Sequence, residues 1–167
     1  QAFYYMSEKW SPEFLARNEI PDNSNLYGNE DGKFLYDDTQ KWKKTSGLES
    51  GQNSNMEDLN ELFYQFQNRN TSELLSLVDM ASYLAWNMHY TLAGSKHQDS
   101  AHNNTLIFNT SSGLFEFVPD DVMLFDRTYL GNKLGDDLSM YILGSGDVLV
   151  KRNEMLREYL SDVNLEE

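Results

Sequence analysis

The chain has 167 residues, 40% hydrophobic and 13% aromatic, which suits one domain with a sizeable buried core and is too aromatic for a disordered chain. Its formal charge of −14 repels nucleic-acid backbones and anionic lipid surfaces, leaving cationic partners or a site that recruits divalent cations. There is no cysteine, which excludes disulfides and thiolate-bound metals, and no stretch approaches the ~20 apolar residues of a membrane span.

The N-terminal "AFYYMSEKW" reads as a β-rich run. "SPEF" then predicts a short helix, with Ser11 as N-cap, Pro12 at the first position and Glu13 in the first turn. Residues 20–36 are turn-rich with short extended pieces, and residues 37–55, rich in Gly, Ser, Asn and charge, read as a mobile surface loop. Met56, Leu59, Leu62, Phe63 and Phe66 recur at helical spacing and predict a helix over 56–67, with Asn55 as its cap. Leu74, Leu77, Val78, Ala81, Leu84 and Met88 form one continuous stripe. They predict a single helix from 73 to about 90 at the centre of the core, capped by Asn70 or Thr71 and stopped by Gly94. Two β-prone runs, 105–108 and 114–118, flank "NTSSG" and predict a hairpin that ends at Pro119. A short helix is expected over 136–143. A longer one starts at Asp147, its apolar face formed by Val148, Leu149, Met155, Leu156, Tyr159 and Leu160. The fold class is α+β, in one domain spanning residues 1–167.

The octet "HQDSAHNN", residues 97–104, lies between the central helix and the hairpin. His97, Asp99 and Asn104 have the spacing H-x-D-x-x-x-x-N, that of a protein-kinase catalytic loop, in which the Asp receives a hydroxyl proton and the Asn holds magnesium. Asp, Ser and Asn also crowd ordinary turns, because their short side chains bond nearby backbone. The hairpin shifts the balance, since a hairpin returns the chain to where it began. Asn104 at its entrance and Asp121 at its exit are thereby expected at one end of the sheet with Asp99. Three oxygen-bearing side chains of this kind suit Mg2+, a hard cation that takes one or two carboxylates and keeps water or phosphate oxygens. Other readings carry less. His97 and His102 have no third imidazole nearby to complete a metal site, and His89 reads as structural. "LGSGD" (143–147) lacks the lysine of a phosphate loop and reads as a helix stop and a new cap. Trp10, Trp42 and Trp86 read as core or interface residues. A hydrolase built on the pair Asp99 and Asp121 is a further alternative that nothing else in the chain supports.

The order of these segments resembles the CotH family of atypical, spore-coat-type protein kinases. "FYYMSEK" resembles the family's strand ending in Glu, and "EFLARN" followed by "SNLYG" its next segment. "LVDMASYLAWNMHY", "HQDSAHNNTLIFN" and "GLFEFVPDD" resemble its helix, catalytic loop, hairpin and metal-Asp region, and "ILGSGDVLVKRNEMLREYL" its late helix. The resemblance implies a protein-kinase-like large lobe, incomplete at the N-terminus, with the small lobe and other domains expected elsewhere in the parent chain. It also implies ATP and Mg2+ as cofactors, a protein Ser or Thr as acceptor, and a place outside the cell or at the cell or spore surface; neither nucleic-acid binding nor membrane insertion is expected. In the same way Asp99 takes the catalytic place, Asn104 (or its neighbour Asn103) and Asp121 the magnesium places, and Glu8 a nucleotide-facing place. Where the family shows Trp-Asp-x-Asp after the proline, this chain has Asp120-Asp121-Val122-Met123, and no lysine stands out as the phosphate anchor. A catalytically inactive binding or adhesion module of the same family is the alternative function.

Overall fold

The structure, a computed structural model, describes residues 11–29, 35–47, 55–95, 103–120, 122 and 137–162. Helix α1 (Pro12–Arg17) starts at Ser11 with Pro12 in its first turn, as the sequence predicts. Strand β1 (Asn25–Asn29) follows. Two single turns of 3-10 helix, Leu35–Asp37 and Thr39–Lys41, lead into strand β2 (Trp42–Ser46). Helices α2 (Glu57–Gln67), α3 (Thr71–Ser76) and α4 (Met80–Ala93) come next, then strands β3 (Thr105–Asn109) and β4 (Leu114–Val118). Helices α5 (Asp137–Leu143) and α6 (Val148–Asp162) complete the α+β fold. None of the helices in the described residues is long and apolar enough to cross a membrane.

The four strands form one antiparallel sheet in the order β2-β1-β3-β4. Side chains alternate across a pleated sheet, so the strands divide two cores between them. Leu26, Ile107 and Val118 meet Phe14 and Leu15 of α1 on one face. Tyr27, Leu106, Phe115 and Phe117 belong to the larger core on the other, with Leu59, Leu62, Phe63 and Phe66 of α2 and Tyr83, Leu84, Trp86 and Tyr90 of α4. Trp42 and Trp86 are buried there, as expected of core tryptophans, whereas His89 is exposed. Trp10 lies outside the described residues.

Three expectations are corrected. The stretch 37–55 is not all loop, because Trp42–Ser46 pairs with β1 as an edge strand. Its inward residues are Trp42, Lys44 and Ser46, so apolar alternation is missing; Lys44 is buried because its ammonium donates to the Asn55 carbonyl at 3.0 Å. The predicted helix 73–90 is broken. Val78 bridges to Phe115 in β4, the Phe115 N–H donates to the Leu77 carbonyl and the Asp79 N–H to the Phe115 carbonyl, each at 2.8 Å. A residue whose backbone bonds a strand cannot also complete a helical ladder. Asp79 then caps α4, its carboxylate accepting from the Ser82 N–H at 2.9 Å, and the break turns Ala81 outward. Finally, the expected apolar face of α6 is only partly covered. Val148 and Arg152 are buried and Met155 and Leu156 half-buried, but Leu149, Tyr159 and Leu160 are exposed. Gly94 ends α4 in the left-handed conformation at φ 64°, as its position predicts.

Candidate functional site

The hairpin forms with the predicted strands. Thr105 pairs with Val118 at its open end and Asn109 with Leu114 at its closed end. Gly113 takes φ 73° in the turn, a conformation open to glycine at little steric cost. This geometry sets Asn104, one residue before β3, across from Pro119 and Asp120, just after β4. A hydrogen bond closes the open end: the Thr105 hydroxyl donates to the Asp120 carboxylate at 3.1 Å. Asp120 thus fixes the direction in which the chain leaves β4.

The Asn pair divides the work at the entrance. Asn103 adopts φ 58°, a left-handed conformation that asparagine tolerates better than other side-chain-bearing residues. It turns the incoming chain into the strand. Asn104 is 4% exposed and is held from the neighbouring strand. Its N–H donates to the side-chain oxygen of Asn29 at 2.5 Å, and its carbonyl accepts from the Asn29 N–H at 3.2 Å. Asn29 is a residue that sequence reading missed. "YGNED" reads as a turn, and only the β1–β3 pairing, across 75 residues, brings Asn29 here.

Asp99, Asp121 and Glu8 lie outside the described residues, as do His97 and His102. Among the described residues no group of three His, Asp or Glu side chains could hold a metal ion. The described part of the site contributes oxygen donors alone: the buried Asn104 amide and the half-buried Asp120 carboxylate, with Asp121 next in the chain. That donor set fits a hard cation such as magnesium and is unsuited to a soft one.

The CotH kinase protein family matches residues 1–134, a stretch running through the octet, the hairpin and the Pro-Asp-Asp exit. The chain belongs to the CotH family. No curated protein gives a significant match. CotH membership makes a kinase-like domain the frame for the site, and the matched region contains Asp99, Asn104 and Asp121 together. It ends before α5 and α6, yet Leu138, Ile142, Leu143 and Val148 from these helices are buried in the same core as α2 and α4.

Proposed function

We propose that this CotH chain is the large-lobe portion of an atypical protein kinase that transfers the γ-phosphoryl group of ATP to a protein Ser or Thr with magnesium. The observation that supports it is the family match over 1–134, taken with the hairpin that holds Asn104 and the residue before Asp121 at the same end of the sheet. Asn104 and Asp121 would hold the magnesium, which would supply positive charge against the developing charge of the phosphates. Asp99 orients the acceptor hydroxyl and takes its proton as the new bond to phosphorus forms and ADP leaves. By the family resemblance Glu8 would take a nucleotide-facing place. The work of the protein is positioning, and a misplacement of ~1 Å in such a site costs about a hundredfold in rate.

The same reading puts the phosphate-anchoring lysine in a small lobe outside these residues. Lys44, the buried lysine of β2, is committed to the Asn55 carbonyl. The reading also implies a place outside the cell or at the cell or spore surface.

The test is transfer of radiolabelled phosphate from ATP by the full-length polypeptide. Magnesium-dependent labelling of Ser or Thr is expected, with little from residues 1–167 alone. Asp121→Ala should abolish transfer, and Asp99→Asn should cripple it while sparing nucleotide binding. Full activity in Asp121→Ala would sink the kinase assignment; an inert wild type would favour the inactive binding module.

A further inference from the structure

The β1–β3 ladder runs in register from Asn25 opposite Phe108 to Gly28 opposite Thr105. The next pair is Asn29 and Asn104, and it departs from the ladder. One ordinary main-chain bond remains, from the Asn29 N–H to the Asn104 carbonyl. The returning bond does not go to the Asn29 carbonyl. The Asn104 N–H donates instead to the side-chain oxygen of Asn29. In a hydrogen-bonded pair of a regular antiparallel ladder the two residues exchange both main-chain bonds. Here a side chain replaces one carbonyl, so the ladder ends without leaving the Asn104 N–H unsatisfied. The chain can then turn away at Asn103, with its φ of 58°.

We propose that Asn29 is a positioning residue for Asn104, fixing the backbone from which the Asn104 amide reaches the magnesium ion; this rests on the magnesium reading of the site given above. Both main-chain groups of Asn104, its N–H and its carbonyl, are held by one residue of a different strand. A ligand so held has little orientational freedom left to lose when a cation binds, and preorganisation of that kind strengthens binding. Alanine at position 29 keeps the main-chain bond but removes the acceptor. The buried Asn104 N–H must then find another partner, which frees its peptide to rotate.

The experiment is a titration of the full-length chain with Mn2+, a paramagnetic substitute for magnesium, in the presence of ATP, following free ion by electron paramagnetic resonance. Asn29→Ala should raise the half-saturating metal concentration about tenfold while leaving the number of sites at saturation unchanged. Asn29→Asp, which keeps an oxygen acceptor at the same place, should return it to within about threefold of wild type. In an Asn104→Ala background, Asn29→Ala should add no further shift, because the ligand it positions is gone. A role in folding alone would lower the melting temperature and the number of sites without moving half-saturation. Were Asn29→Ala to lack a cooperative melt, Asn29→Gln, which displaces the same amide by one methylene, carries the test with the same expected shift. Half-saturation equal to wild type in the folded variant overturns the positioning role while leaving the magnesium reading intact. A wild type that binds no Mn2+ overturns both.

Discussion

Tyr27 is wholly buried, and its hydroxyl donates to the Asp58 carboxylate at 2.5 Å, while the Asn25 amide donates to the same carboxylate at 2.7 Å. Burial first, then the bond to Asp58 and its negative charge, push the Tyr27 phenol well above its usual range. In the unfolded chain a phenol releases its proton near pH ~10. Above that pH the unfolded state binds fewer protons than the folded one, so stability is lost as pH rises, by up to ~1.4 kcal/mol per pH unit for a single group. Tyr27→Phe removes this dependence along with the hydrogen bond. In urea denaturation near neutral pH the variant should be roughly 1–2 kcal/mol less stable than wild type. The gap should narrow as the pH passes about 10 and continues upward. A gap that stays constant across that range would mean that the phenol is not the titrating group. At the same scale, Gly47 illustrates a position closed to any side chain: φ is 101°, and a Cβ would lie 2.7 Å from the Ser24 carbonyl and against the Asn25 side chain that bonds Asp58.

At the scale of elements, the junction between α3 and α4 decides how the hairpin sits. Backbone bonds from Leu77 and Asp79 to Phe115 cover the outer edge of β4, an edge that would otherwise offer unpaired N–H and carbonyl groups. Ser82 adds two more bonds from α4. Its hydroxyl donates to the Phe117 carbonyl at 3.2 Å and accepts from the Phe117 N–H at 3.0 Å. The hairpin is therefore fastened to α4 as well as to β1, and the open end that carries Asn104 and Asp120 inherits that rigidity. Asp79→Ala removes the α4 cap and should cost about 1 kcal/mol, measured as a drop of roughly 2–4 °C in the thermal midpoint. Asp79→Asn and Asp79→Ser, which can still accept from the Ser82 N–H, should recover most of it. No difference between Ala and Asn at this position would show that the cap contributes nothing.

At the scale of the whole molecule, the domain extends past the stretch that the family matches. Tyr83 donates its hydroxyl to the Ser139 carbonyl at 2.7 Å, and the Tyr141 and Thr71 hydroxyls share a hydrogen bond of 2.6 Å. The Arg69 guanidinium lies over both the Phe66 and Tyr141 rings, 4.9 and 4.7 Å from their centroids. Leu138, Ile142, Leu143 and Val148 are buried, and each such side chain stabilises by roughly 1.5–3 kcal/mol. Their sum rivals the ~5–15 kcal/mol net stability of an ordinary domain. A fragment ending at residue 134 is therefore expected to lack a cooperative thermal transition by circular dichroism, whereas one ending at residue 162 should keep it. Cooperative melting of the shorter fragment would show that α5 and α6 are an appendage.

By itself the sequence determined the elements whose pattern is local. Helix α2 follows from Leu59, Leu62, Phe63 and Phe66 at helical spacing, the hairpin from two β-prone runs around a Gly-containing turn, and the end of α4 from Gly94. The order of the octet, hairpin and Pro-Asp-Asp exit also carried the family resemblance, now matched over residues 1–134. Tertiary structure alone decided the rest. Strand β2 shows no apolar alternation, because Lys44 faces inward and is satisfied by a carbonyl eleven residues away. The stripe from Leu74 to Met88 looked continuous because apolar spacing says nothing of where a backbone N–H finds its partner, and here Phe115 takes the bonds at Leu77 and Asp79. Asn29 was illegible for the same reason. Its role depends on one hydrogen bond across 75 residues, and a pairing that distant leaves no periodic trace in the chain.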